Sequence, residues 1–325
     1  MKAFGDLLFG LYRQVHTTPP SEFQTQAMDA VRQVLAFDSA LWGTGAMSQQ
    51  GAVVHSVCVY RQPPEMMQNW EHIKQHDAVS FEAFNRCGQT VNAALTTDPE
   101  WQARFHPDAM AHVKRYGMEH VLATFNADPL LRLFTAVSFY RADPAQAFTE
   151  AERLLKQNLV PHLIEVWSLN RFSFLHSART GSAQHNQARA ICDKKGLIYN
   201  ASPDFAELMR LEWPNWQGPE LPGELLGSVS GTKQRQFSGH SAVATIKSLS
   251  DMLLLSVRRK SAVDQLSRRE LEVARHFAKG LDFREIADQL NIAPATVRNH
   301  LQAIYATLTV SNKVELARMI LEADE

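Results

Sequence analysis

Apolar residues recur at helical spacing through residues 267–321 and divide this part of the chain into four short helices. The first two helices each open with the spacing of a capping box, in which two side chains satisfy free backbone N–H groups at the helix start. Ser267 with Glu270, and Asp282 with Glu285, have this spacing. The pattern therefore predicts a small all-helical unit.

The third helix of this unit has one apolar and one polar face. Asn299 and Gln302 lie opposite the apolar stripe, with Arg298 on their flank, at about 100° per residue. Arg, Asn and Gln side chains can make paired hydrogen bonds to guanine or adenine edges in the major groove. A short helix, a tight turn and a second helix of this kind are typical of a helix-turn-helix. The apolar stripe consists of Val297, Leu301, Ile304 and Leu308.

Two features of the unit predict a dimer. Residues 267–313 contain seven Lys or Arg and five Asp or Glu, a net charge of +2. Because neutralisation of phosphates drives non-specific DNA affinity, one copy should bind DNA poorly, and dimers on two half-sites are the usual remedy. The fourth helix also has more apolar surface than the other three need, namely Val314, Leu316, Ala317, Ile320 and Leu321.

The same stretch resembles the C-terminal DNA-binding domain of LuxR/GerE-type transcription regulators. The resemblance implies that the third helix enters the major groove, with Arg298, Asn299 and Gln302 in the base-reading positions. The matching positions are Leu266, Arg269, Glu270, Val273, Gly280, Glu285, Ile286, Ala287, Leu290, Thr296, Val297, His300, Leu308, Val310 and Asn312.

The resemblance also implies roles for four further residues and for partners. Thr296 and His300 would hold the DNA backbone or brace the helix, and Arg284 and Lys313 would touch phosphates. The expected partners are double-stranded DNA, a second copy of the chain and RNA polymerase.

Two departures from the family pattern keep an alternative open. Thr307 stands where the family usually has lysine, so one phosphate contact is expected to be missing. Thr309 stands where the family usually has glycine, so the turn after the third helix must be built without it. The alternative is a protein-interaction or anti-activator module whose C-terminal domain no longer binds DNA.

Residues 1–172 alternate between helical and strand patterns. Two hairpins are predicted, Ala40–Met47 with Val53–Tyr60, turning at Ser48–Gly51, and Glu119–Asn126 with Leu131–Arg141. Helices are predicted before, between and after these hairpins, and the last, from Thr149 to about Phe172, should direct Ala151, Leu154, Leu155, Leu159, Leu163 and Val166 inward.

This order predicts an α+β unit, an antiparallel sheet flanked by helices. It resembles a GAF domain, a sensory and dimerising module with a small-molecule pocket between its sheet and inserted helices. Trp42, Tyr60, Trp70 and Trp101 are candidates to line such a pocket, and ordinary core packing is the alternative role for these aromatic residues.

Residues 63–79 resemble the Trp/Tyr/Asp segment of acyl-homoserine-lactone receptors in the LuxR family. The tyrosine position holds Lys74, and Asp77 follows Trp70 after only seven residues. These departures argue against an acyl-homoserine lactone as the ligand. Asp77 is a candidate ligand contact, and its alternative role is to cap a helix.

A polar, turn-rich linker is predicted over residues 173–187. Residues 188–260 then resemble a short PAS module, with strands at Ala190–Cys192 and Leu197–Asn200 around a turn and a helix at Pro203–Met209. A hairpin of two later strands turns at Leu249–Asp251. We expect this module to dimerise or couple the other domains, and residues 261–325 to be the helix-turn-helix domain.

Composition excludes several classes of protein. The 325 residues are 45% hydrophobic and 21% charged with a net charge of −1, which gives no general attraction to nucleic acid or membrane. No apolar run approaches the length of a membrane span. The three cysteines are scattered, which fits a reducing cytoplasm and, with thirteen histidines outside ligand spacing, argues against a metal site. No catalytic motif or phosphate-binding loop is found, so neither an enzyme nor a cofactor is expected.

The sequence thus predicts a multidomain, cytoplasmic, one-component transcription regulator. A GAF-like domain, together with a PAS-like module, would control the placement of an all-α helix-turn-helix domain. A small-molecule effector is the expected signal, because a ligand can shift an equilibrium between two arrangements only if it binds them differently.

Overall fold

The computed structural model describes residues 2–48, 51–177, 187–227, 234–249 and 252–324. Residues 49–50 and 250–251 of the predicted turns, and residues 178–186 of the predicted linker 173–187, lie outside these residues. Residues 173–177 continue the preceding helix, so the prediction that the linker begins at residue 173 is wrong.

The N-terminal half is built on a five-stranded antiparallel sheet. Both predicted hairpins form as antiparallel strand pairs. A short edge strand, β3, was not predicted. In the order β2-β1-β5-β4-β3, the strands are β1 (Ser39–Ser48), β2 (Gly51–Tyr60), β3 (Thr90–Ala94), β4 (His120–Asp128) and β5 (Leu133–Arg141).

Helices cover both faces of this sheet. Three of them pack on one face, around a core that includes Leu122, Val137 and Phe139; they are α1 (Lys2–Gln14), α2 (Pro20–Arg32) and α7 (Glu150–Ser177). The helices inserted between β2 and β4 lie on the other face; they are α3 (Glu65–Ile73), a 3-10 turn (Lys74–His76), α4 (Ala78–Asn85), α5 (Pro99–Arg104) and α6 (Pro107–Arg115).

The long helix α7 corrects part of the predicted inward face. Leu159, Leu163 and Val166 are buried as predicted, but Ala151 is exposed and the Leu154 side chain is 43% exposed. Lys156, at 0% exposure, faces the sheet instead. Its Nζ atom donates hydrogen bonds to the Thr124 hydroxyl at 2.6 Å and to the Val137 carbonyl at 2.9 Å, and these bonds set the rotation of the first turns of the helix.

A second antiparallel sheet follows, with the order β7-β6-β10-β9-β8. Its predicted strands and helix form, and β8 and a short helix, α9, were not predicted. The elements are β6 (Ala188–Asp193), β7 (Ile198–Ala201), α8 (Phe205–Glu212), α9 (Gly223–Gly227), β8 (Gln234–Ser238), β9 (Ala242–Leu249) and β10 (Met252–Arg259).

The two sheets pack against each other. Leu131, from the turn between β4 and β5, is buried in the core of the second sheet. Gly218 lies against it so closely that an added Cβ would come within 2.5 Å of the Leu131 carbonyl oxygen. His55, the extra residue at a bulge in β2, stacks on Tyr199 of β7 with ring centroids 4.1 Å apart. The second sheet therefore contacts the strands of the first directly.

The C-terminal part consists of a 3-10 turn (Ala262–Gln265) and four helices around one core. Both predicted capping boxes form. In each, the side chain of the serine or aspartate accepts a hydrogen bond from the backbone N–H three residues later, and the glutamate side chain accepts one from the backbone N–H of the capping residue. The helices are α10 (Arg268–Ala278), α11 (Phe283–Leu290), α12 (Pro294–Leu308) and α13 (Lys313–Asp324). None of the helices in the described ranges combines the length and apolar character needed to cross a membrane.

Candidate nucleic-acid interface and ligand cavity

Helix α12 presents the polar face that the sequence predicted. Arg298, Asn299 and Gln302 are all exposed on it. The predicted stripe on the opposite side is buried, with Val297 and Ile304 completely inaccessible. The burial of that stripe against α10 and α11 fixes the rotation of α12, and this rotation turns the three polar side chains outward.

Two left-handed residues shape the ends of the helix pair. Asn291, with φ 51° and ψ 51°, ends α11 and allows the tight turn into α12. Thr309, with φ 55° and ψ 37°, ends α12. The turn without glycine is therefore built by placing a β-branched residue in the left-handed region, which costs on the order of 1–3 kcal/mol.

The other predicted contact residues surround this face. Thr296 and His300 are half-buried on α12, and Arg284 is exposed in the first turn of α11. Lys313, at the start of α13, is exposed and donates a hydrogen bond of 3.4 Å from Nζ to the Gly280 carbonyl. All seven predicted residues thus belong to α11, α12 and the start of α13.

An aromatic pair inside this interface was not predicted from the sequence. The rings of Phe277 and Phe283 stack with centroids 5.9 Å apart and 17° between their planes. The Arg298 guanidinium lies 5.7 Å from the Phe283 ring centroid, and the Lys313 Nζ lies 4.4 Å from that of Phe277. The one sequence signal for this pair was the aromatic residue directly after the capping Asp282, at a solvent-facing position that suits a polar residue.

A cavity of about 780 Å³ lies between the first sheet and helices α3, α4 and α6. Strand residues such as Val57 and Ala136 form its floor, and helix residues such as Met66 and Val113 form its roof. Most of its lining is apolar, and its polar residues come from the helices and from β5, for example Asp77, His112 and Ser138. This composition and size are those of a small-molecule site.

The cavity separates the predicted ligand residues into two groups. Trp70 and Asp77 line it. Trp42 and Tyr60 lie on the opposite face of the sheet, where Trp42 packs against Trp167 and the Tyr60 hydroxyl donates to Asp29. Strand alternation sends these two side chains away from the inserted helices, so the prediction that they line the cavity does not match the structure. Trp101 lines a separate polar cleft.

Trp70 and Asp77 form the best-defined polar group of the cavity. The indole Nε1 of Trp70 donates to Asp77 Oδ2 at 2.8 Å. Asp77 also caps α4, since it accepts hydrogen bonds from the Ser80 amide at 3.0 Å and from the Ser80 hydroxyl at 2.6 Å. Asp77 therefore both caps a helix and lines the cavity.

Two titratable groups near this pair are held neutral. Burial lowers the pKa of His112, and the negative charge of Asp77 only partly offsets that effect. Burial raises the pKa of the Tyr140 hydroxyl. The charged residues Glu71, Lys74 and Asp77 also line the cavity, so it offers charged and neutral polar groups beside apolar walls. Within the described ranges, no cluster of three or more His, Cys, Asp or Glu residues is placed to bind a metal ion.

The geometry of the C-terminal helices defines a helix-turn-helix DNA-binding domain. The family model "Bacterial regulatory proteins, luxR family" matches residues 264–320, and this segment is a LuxR-type helix-turn-helix domain. The chain is 42% identical over 59 residues to the transcriptional regulatory protein UhpA of Escherichia coli K12, covering 18% of this chain and 30% of the relative. It is 40% identical over 58 residues to an HTH-type transcriptional regulator of Aeromonas salmonicida, which again covers 18% of this chain and 30% of the relative. The chain thus spans less than a third of the length of these relatives.

Two solved structures illustrate the similarity of the chain to known folds. One is the N-acylhomoserine lactone dependent LuxR family transcription factor CepR2 of Burkholderia cenocepacia. The alignment covers 53% of this chain and 96% of the CepR2 chain, with 11% identity and a TM-score of 0.39. The other is Escherichia coli SdiA, for which the alignment covers 98% of this chain and 97% of the SdiA chain, with 15% identity and a TM-score of 0.39.

Proposed function

We propose that the protein is a transcription regulator that binds operator DNA with helix α12 in the major groove. The observation that carries the proposal is the exposure of Arg298, Asn299 and Gln302 on one face of a helix whose other face is buried. Arg284 and Lys313 flank this face and would contact phosphates, and Thr296 and His300 would brace it. Such a regulator would act in the cytoplasm, with RNA polymerase as its further partner.

The proposed regulator binds DNA as a homodimer. Val314 and Leu321, seven residues apart on α13, are 78% and 60% exposed. Seven residues are two helical turns, so both side chains lie on one side of the helix. Their burial against a second copy would place two recognition helices on two half-sites, which offsets the low net charge of each domain.

The proposed signal is a small molecule in the cavity of residues 1–172, which we interpret as a GAF-like domain. A ligand with one polar group and an apolar body fits the lining, because the Trp70–Asp77 pair and His112 lie on one side and aliphatic and aromatic side chains on the others. Occupancy would alter the strands that form the cavity floor. The same strands contact the second sheet.

We interpret residues 188–260 as a PAS-like module that couples the other two domains. Its core is filled by its own side chains and by Leu131 from the N-terminal domain. On its other side, β10 runs directly into the 3-10 turn whose Val263 belongs to the core of the DNA-binding domain. The module is therefore in contact with both domains whose positions it would relate.

The second candidate function is a protein-interaction module that no longer binds DNA. The low net charge and the threonine at position 307 favour it. Dependence on salt separates the candidates, because each neutralised phosphate contributes about −0.9 to the slope of log affinity against log salt. Helix packing between proteins lacks so steep a slope.

The experiment uses the full-length protein and duplexes selected with it from a random pool. Fluorescence anisotropy at several salt concentrations is expected to show tight binding with a steep negative slope. Failure to enrich any duplex, or a flat salt dependence, would favour the interaction module. Native mass spectrometry of the same preparation is expected to show a dimer, and a bare monomer would contradict the dimeric model.

A further inference from the structure

Four side chains from four helices form a continuous stack at the edge of the recognition helix. Arg298 of α12 lies over Phe283, which stacks on Phe277, over which Lys313 of α13 lies. The successive distances are 5.7, 5.9 and 4.4 Å. Both cations are among the proposed DNA contacts, so the aromatic pair connects a base-reading residue with a phosphate-contacting residue.

Phe283 is the unusual member of this stack. Phe277 is buried at the end of α10 and belongs to the domain core, but Phe283 opens α11 with 38% of its side chain exposed. Phe283 lies outside the buried core cluster, so the stability of the domain should not require an aromatic ring at this position.

Within the part of the chain that the structure describes, Arg298 has no polar partner to fix its side chain. It makes no hydrogen bond or ion pair with any residue that the structure describes, so its contact with the Phe283 ring is the interaction that orders it. A guanidinium that lies over a ring keeps its in-plane N–H donors free for a paired contact with a base. The contact therefore restricts the side chain and leaves its recognition chemistry available.

We infer that Phe283 is a positioning residue for DNA recognition, which pre-orders Arg298 over its ring for a guanine edge. This inference rests on the proposed DNA-binding function. Its physical basis is that a long side chain immobilised on binding loses rotamer freedom, and a side chain that is already restricted loses less. The benefit should appear in sequence discrimination, because Arg298 contacts bases.

The test compares the affinities of the full-length protein for a selected duplex and for a scrambled duplex of the same composition. Phe283→Leu keeps an apolar side chain and removes the ring. It is expected to lower the ratio of the two affinities by roughly 2–5-fold, the range of an exposed cation–π contact. Phe283→Trp, with a ring that binds cations better, is expected to keep or raise the ratio.

The chain offers a matched control for the loss of an exposed ring. Phe9 also carries an arginine, Arg13, at 5.7 Å, but it lies on α1 of the N-terminal domain. Phe9→Leu should leave the ratio unchanged. Thermal unfolding of each variant shows whether a loss comes from misfolding, and if Phe283→Leu fails to fold, Phe283→Trp remains decisive, because a fall in its ratio would overturn the inference.

A double-mutant cycle with Arg298→Ala separates the inference from the function on which it rests. If the ring acts through Arg298, Phe283→Leu should have no further effect on the ratio once Arg298 is alanine. An equal loss in both backgrounds, or a wild-type ratio in Phe283→Leu itself, would overturn the positioning role. If Arg298→Ala alone left the ratio unchanged, the proposed reading face itself would be wrong.

Discussion

Arg258 donates two hydrogen bonds to Asp264, at 2.7 and 2.6 Å, across the junction between the second sheet and the C-terminal helices. Arg258 lies near the end of β10, and Asp264 belongs to the 3-10 turn that follows. Asp264 also closes a capping box with Ser261. This ion pair therefore fixes the direction in which the chain enters the DNA-binding domain.

Asp264→Asn should destabilise the protein in a pH-dependent manner. Burial raises the pKa of Asp264, but the Arg258 hydrogen bonds and the Ser261 amide lower it by more, so the net shift is downward. A lowered pKa in the folded state means that the carboxylate stabilises the fold above its unfolded pKa of about 3.9, and that this contribution is lost as pH falls through the folded pKa. We expect a loss of about 1–3 kcal/mol at pH 7 in urea unfolding, since a charge-assisted pair is broken.

The difference between Asp264→Asn and wild type should narrow from pH 7 to pH 3. Glu71→Gln, which removes a half-exposed ion pair with Lys74, is the matched control and should change stability little. An equal difference at both pH values would show that the charge of Asp264 is not what stabilises the junction.

Lys156→Met should stabilise the protein at neutral pH. Burial lowers the pKa of Lys156 well below its usual value. Among the described residues, its amino group hydrogen-bonds only to the neutral Thr124 hydroxyl and Val137 carbonyl. Because the unfolded lysine has a pKa of about 10.4, the folded protein is penalised below that pH, and the penalty decreases as pH rises from the folded to the unfolded pKa.

Wild-type stability should therefore rise by up to about 1.4 kcal/mol per pH unit within that window. Urea unfolding at pH 7 and pH 9 should show a smaller rise for Lys156→Met than for wild type. Parallel changes in the two proteins would mean that Lys156 keeps an ordinary pKa.

Thr309→Gly should raise the stability of the C-terminal domain. Thr309 adopts φ 55°, a conformation that glycine reaches without steric cost. We expect a gain of about 0.5–1 kcal/mol in thermal unfolding, smaller than the strain of about 1–3 kcal/mol, because the greater freedom of glycine in the unfolded chain offsets part of the relief. Thr307→Gly is the matched control, since Thr307 is exposed within α12 and glycine there should cost a few tenths of a kcal/mol, roughly. A loss of stability in Thr309→Gly would contradict the assigned strain.

Ala136→Phe should fill the cavity of the N-terminal domain. Ala136 lies on β5 in the cavity floor, where a phenyl ring would occupy the space proposed for a ligand. With anilinonaphthalene sulfonate as the probe, wild type should give saturable fluorescence and Ala136→Phe a weaker signal. Ala145→Phe, at an exposed position, is the control. Equal binding by all three proteins would place the dye outside this cavity.

The C-terminal domain was predictable because its signals are local. A capping box needs two side chains three residues apart, and the stripe of α12 repeats within one helix, so both Asp282 with Glu285 and the Val297–Leu308 stripe follow from the printed sequence. The left-handed conformation of Thr309 also follows once the helix is known to turn sharply there.

The lining of the cavity in the N-terminal domain could not be predicted, because it depends on contacts between residues that are distant in the sequence. Alternation along β1 and β2 shows that Trp42 and Tyr60 lie on one face, but it does not show which helices cover that face. The burial of Lys156 could not be predicted for a similar reason, since its partners Thr124 and Val137 lie on strands that are distant from α7 in the sequence. Of the candidate ligand residues, Trp70 and Asp77 remained together because both belong to one short segment.

Whether α12 reads DNA can be tested with the ratio of affinities for a selected and a scrambled duplex. This ratio is measured for wild type and Arg298→Ala at one salt concentration. Loss of one paired base contact should reduce discrimination by about 1–3 kcal/mol. Arg284→Ala is the matched control, because loss of a phosphate contact should weaken both duplexes alike and reduce the salt slope by about 1. We expect a lower ratio for Arg298→Ala and an unchanged ratio for Arg284→Ala. An unchanged ratio for Arg298→Ala would contradict the assignment of α12 as the helix that reads DNA.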